Sequence, residues 1–296
     1  MGAVRPPYDR GRSDGRSVSV DHIQGILFAL AAAGYFVGAM LYVLATALRR
    51  TPLGTGGTAL LAGGLALQSV ALALRGLAAG TLPVTNTPET LVFYGWVFAL
   101  GYIAIERLDR ADREVLRPVG AFAGLLACAA LALASSPLTG GLSAPQPLVP
   151  ALRSHWLVLH VSLTLVGEGF FAVAFVSSIL YLVRERAAKR VGGDSQTRLD
   201  RISYRAIVVG FPFFTLGALF FGAVWAKHAW GRYWGWDPKE TFSLVTWLVY
   251  VLYLHLRVRR GWRAKRVAWV AVIGFLLALF TFAGVNYLVR GLHSYG

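Results

Sequence analysis

The chain has 296 residues, of which 56% are hydrophobic and only 15% charged, with a formal net charge of +15. A soluble domain carries nearer a quarter charged residues, so several apolar runs of about 20 residues define an all-α, polytopic integral membrane bundle instead. A single cysteine, Cys128, lies inside an apolar run and excludes a disulfide framework, a CxxC redox pair and a CxxCH haem-attachment site.

Eight transmembrane helices are predicted, at roughly 24–48, 57–78, 89–106, 118–135, 156–183, 204–226, 240–257 and 267–289. Residues 1–22 read as a polar N-terminal tail and 23–296 as one membrane domain. The first apolar run is long enough to span rather than to be cleaved as a signal peptide. Pro83, Pro88, Pro118, Pro137, Pro145, Pro147 and Pro150 lie in or beside the connections, as helix breakers do. The connection at about 136–155 is rich in Pro, Gly and Ser and too short to fold alone.

Lysine and arginine set the orientation. Nineteen fall in one set of loops, from Arg49 and Arg50 to Arg257, Arg259, Arg260, Arg263, Lys265 and Arg266; six fall opposite, at Arg75, Arg153, Lys227, Arg232, Lys239 and Arg290. The richer set should be cytoplasmic, with lipid headgroups as its first contacts. Charge spread over short loops at a membrane surface does not describe a nucleic-acid binder. The N-terminal tail conflicts with this rule, because eight spans put Arg5, Arg10, Arg12 and Arg16 on the opposite side.

Between spans six and seven runs Trp225-Ala-Lys-His-Ala-Trp230-Gly-Arg232-Tyr233-Trp234-Gly-Trp236-Asp237-Pro238-Lys239-Glu240, with four of the chain's nine tryptophans. Asp237 is placed as a helix N-cap, Pro238 as the first helical residue and Glu240 as the side chain that reaches back to the cap. A flat aromatic shelf leading into a capped helix suits a large planar ligand with polar edges. Interfacial anchoring by an aromatic belt is the alternative use of the same residues.

Trp-Gly-x-Tyr-Trp-x-Trp-Asp-Pro-Lys-Glu resembles the tryptophan-rich WWD signature of the haem-handling proteins of cytochrome c maturation, and its ending looks most like the CcsA (ResC) family of the System II pathway. The similarity extends to Ser154-His155-Trp156-Leu-Val-Leu-His160-Val, to Gly284-Val-Asn286, to Leu292-His293-Ser-Tyr295, and to Pro83-Val-Thr-Asn86-Thr-Pro-Glu89-Thr, where Pro88 stands in place of a usual aromatic. It covers most of residues 80–296. The resemblance implies a subunit of a cytochrome c synthase that moves haem b across the membrane as its substrate. It also implies presentation of that haem at an outer site for thioether formation with CxxCH of apocytochrome c, and a second membrane protein, CcsB (ResB), as partner. The absence of a transit peptide points to a bacterial cytoplasmic membrane rather than a thylakoid.

Histidines are common axial ligands of haem iron. His160, a turn into span five, and His293, after span eight, fall at the same outer end and are candidates for two nitrogens on opposite faces of one macrocycle; each alone also suits an interfacial histidine. His255 lies near the far end of span seven, about 22 Å from the shelf at 1.5 Å per residue. It either complements the helix C-terminus or ligates haem at an inner position, and the family resemblance pairs that inner histidine with one on the partner. His228 reads as an interfacial polar residue. His155 lies about 140° around the helix from His160 and so off its ligand face. Glu168, inside span five, needs a partner or a water-filled cleft. Arg232, Lys239 and Arg153 are candidate partners for haem propionates. The ring-contacting candidates are Trp225, Trp230, Tyr233, Trp234 and Trp236, with Asp237 holding the helix start. Rival readings are a haem exporter like CcmC, disfavoured by the Asp-Pro-Lys-Glu ending and eight spans, a respiratory haem b subunit, which needs histidine pairs in neighbouring spans, and a plain solute transporter.

Overall fold

The computed structural model describes residues 14–109, 112–142, 152–187, 194–259, 262 and 265–285. The order is α1 (Asp14–Leu48), α2 (Thr51–Ala79), α3 (Thr87–Leu108), α4 (Arg113–Ala134), α5 (His155–Ala187), α6 (Asp194–Phe214), a π-helical segment (Thr215–Phe221), α7 (Gly222–Trp230), α8 (Pro238–Arg259), α9 (Lys265–Leu279) and a second π segment (Phe280–Gly284). Eight of the described helical stretches are long and apolar enough to cross a membrane, and they coincide with the eight predicted spans. The sixth runs unbroken from Thr197 to Trp230 through the π segment. Helices are the expected answer, because only an internally hydrogen-bonded backbone is tolerated against lipid.

The spans alternate in direction. One end of the bundle gathers the α1–α2, α3–α4 and α8–α9 junctions and is rich in arginine; the other carries the α2–α3 loop and the tryptophan segment. Helices α1 to α4 pack mainly among themselves, α5 packs on α3, α6 and α9, and α8 leans on α9 and the π segment. The exposed sides of α1, α2, α6 and α8 carry large apolar residues such as Leu30, Leu77, Val208 and Leu252, as lipid-facing surfaces do.

Two expectations change at the ends. Span four, expected from Pro118, begins five residues earlier at Arg113, because the polar turn ahead of the proline is fixed by ion pairs. Asp112 meets Arg198 and Arg201 from α6 at 3.6 and 3.8 Å, and Asp109 pairs with Arg205. Arg257 and Asp200 form a two-pronged pair of 2.6 and 2.7 Å between α8 and α6. Several arginines read as topology signals therefore also tie helices together. Opposite, Arg75 is no loop charge. It is buried on α2, 3.1 Å from the equally buried Glu89 of α3.

The α5–α6 contact shapes the centre of the molecule. Pro212 removes one backbone donor from α6, and the π segment follows three residues later, a usual place for such a turn. Gly217 within it lies so close to α5 that an added Cβ would stand 2.2 Å from the backbone nitrogen of Thr164. Gly217→Ala should therefore force the two helices apart and cost about 1–3 kcal/mol, the usual range for overpacking. Thermal melting in detergent should show a clear drop for this variant but none for Gly63→Ala, whose Cβ meets nothing within 4 Å. Equal melting of both variants would show that the contact is slack.

Candidate substrate cavity

A cavity of about 540 Å³ opens at the tryptophan end between α5, the π segment, α7, the start of α8, the second π segment and the α2–α3 loop. That is the size of an ordinary small-molecule or cofactor site. Each wall has a local cause.

His160 comes from the second turn of α5. Its Nδ1 lies 2.8 Å from the carbonyl oxygen of Gly217. A carbonyl only accepts, so Nδ1 carries a proton, and in the neutral tautomer Nε2 is the nitrogen with the lone pair. The π segment aims this carbonyl, which also accepts from the Gly222 N–H, five residues on. The imidazole stacks parallel to Trp225, with planes 7° apart and centroids 5.8 Å apart. Trp225 is 2% exposed. Trp230 meets its edge at 4.8 Å, and with Trp234 these two tryptophans line the cavity.

Gly231, at φ 80°, ends α7 in the left-handed conformation that glycine adopts freely. The chain then returns into α8 through the expected cap. Asp237 accepts from the Lys239 N–H at 3.1 Å, and Glu240 Oε2 accepts from the N–H groups of Gly235 and Asp237 at 2.7 and 3.1 Å. These bonds pin the amides on both sides of Trp236, which sits at φ 57°, an uncommon setting for a residue with a side chain. The aromatic shelf is consequently not one surface. Trp225, Trp230 and Trp234 form a wall. Trp236, 69% exposed, and Tyr233, 61% exposed, stand on the rim outside the lining. Arg232 is also exposed, its side chain folded over Gly235, and Lys227 lies 5.7 Å above the Tyr233 ring.

Of the candidate cations, Lys239 alone lines the cavity among the described residues. It faces Asp237 and Glu168 electrostatically. Glu168 is 3% exposed and also lines the cavity, with Oε2 lacking a hydrogen-bond partner. The α2–α3 loop closes the remaining side. Asn86 caps α3 by accepting from the Glu89 N–H at 2.9 Å, while Glu89 holds the N–H and hydroxyl of Thr85 and the guanidinium of Arg75. Pro88 serves in the first turn of α3, where no N–H is needed.

Other histidines lie apart. His155 and His228 are exposed and outside the lining, and His255 is exposed on α8 near the arginine-rich end. His293 lies outside the described residues. Sequence reasoning missed the Arg75–Glu89 clamp, although Asn-x-x-Glu ahead of an apolar run is a helix-start signal. It also missed Gly217, for which no local signal exists.

The fold and the cavity together define a multi-pass helical membrane protein with a histidine- and tryptophan-walled site at one end. A family model described as cytochrome C assembly protein matches residues 84–293, and the chain belongs to that family. Its relatives are cytochrome c biogenesis proteins CcsA. That of Gloeobacter violaceus is 36% identical over 93% of this chain and 96% of its own length. Those of Synechococcus elongatus and Chlamydomonas reinhardtii are 35% and 38% identical over 81% and 74% of this chain, and over 87% and 62% of theirs. Among solved structures, the cytochrome c haem lyase CcmF shares the fold, with a TM-score of 0.67 and 18% identity. It aligns with 95% of this chain, which spans about half, 49%, of that protein. The protein thus acts in cytochrome c maturation as a CcsA-type membrane component.

Removing the Glu240 carboxylate by Glu240→Ala should free the amides of Gly235 and Asp237. A hydrogen bond to a charged group contributes ~1.5–3 kcal/mol, so hydrogen exchange at these amides should speed up by about tenfold or more. Unchanged exchange over residues 233–239 would show that the segment is held by other means.

Proposed function

We propose that this protein carries haem b as a substrate and presents it in the tryptophan-walled cavity for covalent attachment to the CxxCH segment of an apocytochrome c. The observation that carries this reading is His160: its Nδ1 donates to the Gly217 carbonyl, which makes Nε2 the nitrogen that the neutral ring would offer a metal in an aromatic cavity. That donor and those walls fit a planar iron tetrapyrrole. His293 supplies the second axial nitrogen in this reading. Trp225, Trp230 and Trp234 bear on the ring, and Lys239 inside with Arg232 and Arg153 outside answer its carboxylates.

Haem itself supplies the iron and the vinyl groups of the thioether chemistry. The protein's residues position, and they keep water from the ring. The stacked Trp225 and the fixed Nδ1 hydrogen bond hold the His160 imidazole in one orientation, as outer partners of metal-binding histidines do. The excess of arginine at the opposite end supports an outward-facing cavity. His255 is too distant for this site. Exposed on α8, it suits an inner haem position completed by a histidine of a CcsB/ResB-like membrane partner. A bacterial cytoplasmic membrane is the proposed setting, with a thylakoid the alternative that the algal relatives support.

Co-expression with such a partner, purification and haem absorption spectra test the reading. His160→Ala and His293→Ala should each lower bound haem or shift its spectrum, with occupancy down about fivefold or more, as expected from losing an interaction of about 1 kcal/mol or above. Spectra and occupancy identical to those of the unaltered protein would sink the outer-site assignment.

A further inference from the structure

The π segment that aims the Gly217 carbonyl at His160 is held at its start by a tryptophan of α8. Trp247 is half-buried and touches α6 and the segment together. Its ring stacks on Phe211, with centroids 5.9 Å and planes 25° apart. Its Nε1 donates at 3.0 Å to the hydroxyl of Thr215, the first residue of the segment. That hydroxyl has one proton, which goes to the carbonyl oxygen of Phe211 at 2.8 Å. At the other end of the segment, Phe221 stacks on Trp156 of α5 at 6.0 Å.

A buried indole N–H finds a partner in most bundles, and α3 shows the plain case. Trp96 Nε1 donates at 2.8 Å to Ser69 of α2, which donates at 2.7 Å to the Leu65 carbonyl inside a regular helix. At Thr215 the same three-part contact falls where the sixth span leaves the α-helical register. Pro212 has already removed one backbone donor there. A threonine hydroxyl bonded to the carbonyl four residues back competes with the helix's own ladder and bends it. The indole proton occupies the hydroxyl oxygen and keeps its hydrogen aimed at Phe211.

Register decides where Gly217 points, because each residue turns a helix by about 100°. Closing the π turn to an α turn would swing the Gly217 carbonyl away from His160 by roughly that angle. It would also bring Leu216 or Ala218, each with a side chain, to a place on α5 that has no room for a Cβ. The bonds that the present register permits are short. His160 Nδ1 lies 2.8 Å from the Gly217 oxygen, and Thr164, one turn on, donates at 2.6 Å to the His160 carbonyl.

We propose that Trp247 and Thr215 are positioning residues for His160. Their contact fixes the register of the π segment, the register directs the Gly217 carbonyl, and the carbonyl selects the tautomer that offers Nε2 to a metal. The purpose of this device rests on the reading of His160 as an iron ligand; its geometry does not. Neither residue lines the cavity, so their effect reaches a ligand through the histidine.

Nitrogen NMR of the haem-free full chain in detergent, carrying isotope-labelled histidine, tests the assignment. Spectra are taken well above the ordinary imidazole pKa of ~6.5, where the ring is neutral, and the His160 signals are those that His160→Ala removes. Trp247→Phe and Thr215→Val should each lower the ratio of the Nδ1–H to the Nε2–H form about fivefold, the change that one neutral hydrogen bond of ~1 kcal/mol makes. Thr215→Ser, which keeps the hydroxyl, should retain the ratio of the unaltered protein. Trp96→Phe, which loses the matching bond elsewhere in the bundle, should leave it unchanged. A ratio that Thr215→Val does not move, or that Thr215→Ser or Trp96→Phe lowers equally, overturns the assignment. Should Trp247→Phe not fold, the two Thr215 variants decide. No haem is present, so this result and that of the haem-binding test stand or fall separately.

Discussion

Everything at the tryptophan end depends on one carbonyl group. In a regular α-helix the oxygen of Gly217 would be engaged along the helix axis and hemmed in by the next turn. The π turn widens the helix there, and the absence of a side chain at 217 lets α5 come close enough for His160 to reach it. The imidazole then has one tautomer and one orientation, and Trp225 lies flat beside it. Without that approach, the histidine would be another polar residue near a membrane surface.

Polar groups elsewhere in the bundle follow the same logic, since a membrane interior leaves none of them to bulk water. Tyr35 and Gln68 join α1 to α2, and Gln68 donates on to the carbonyl of Val92 in α3. Arg75 and Glu89 neutralise each other while Glu89 also binds the α2–α3 loop. At the opposite end, Asp109, Asp112 and Asp200 each take arginines from another helix. Exceptions among the described residues include Oε2 of Glu168 and the hydroxyls of Tyr94 and Thr246, which are buried without a hydrogen-bond partner.

The cavity has two kinds of wall for two kinds of reason. Its aromatic side is held rigidly by stacking, by the cap of α8 and by the strained backbone of Trp236, which a pair of bonds to Glu240 keeps in place. Its polar floor combines Lys239 with Glu168 and Glu240, so a ligand meets one positive group among carboxylates. Trp236 and Tyr233 are turned out to the rim and do not line the cavity.

Apolar run lengths by themselves determined the eight helices, because crossing hydrocarbon demands about 20 apolar residues whatever the neighbours are. Local chemistry likewise determined the cap at Asp237, Pro238 and Glu240, whose partners are adjacent in sequence. The tryptophan motif marked the family. Tertiary structure alone decided that three of its rings form a wall while two face out, that Arg75 is a buried partner of Glu89, and that Tyr250 stacks on Phe171. Those outcomes depend on contacts between residues 14 to about 80 positions apart, set by how closely helices approach. A one-dimensional pattern records which residues are apolar, but not which distant backbone leaves room for them.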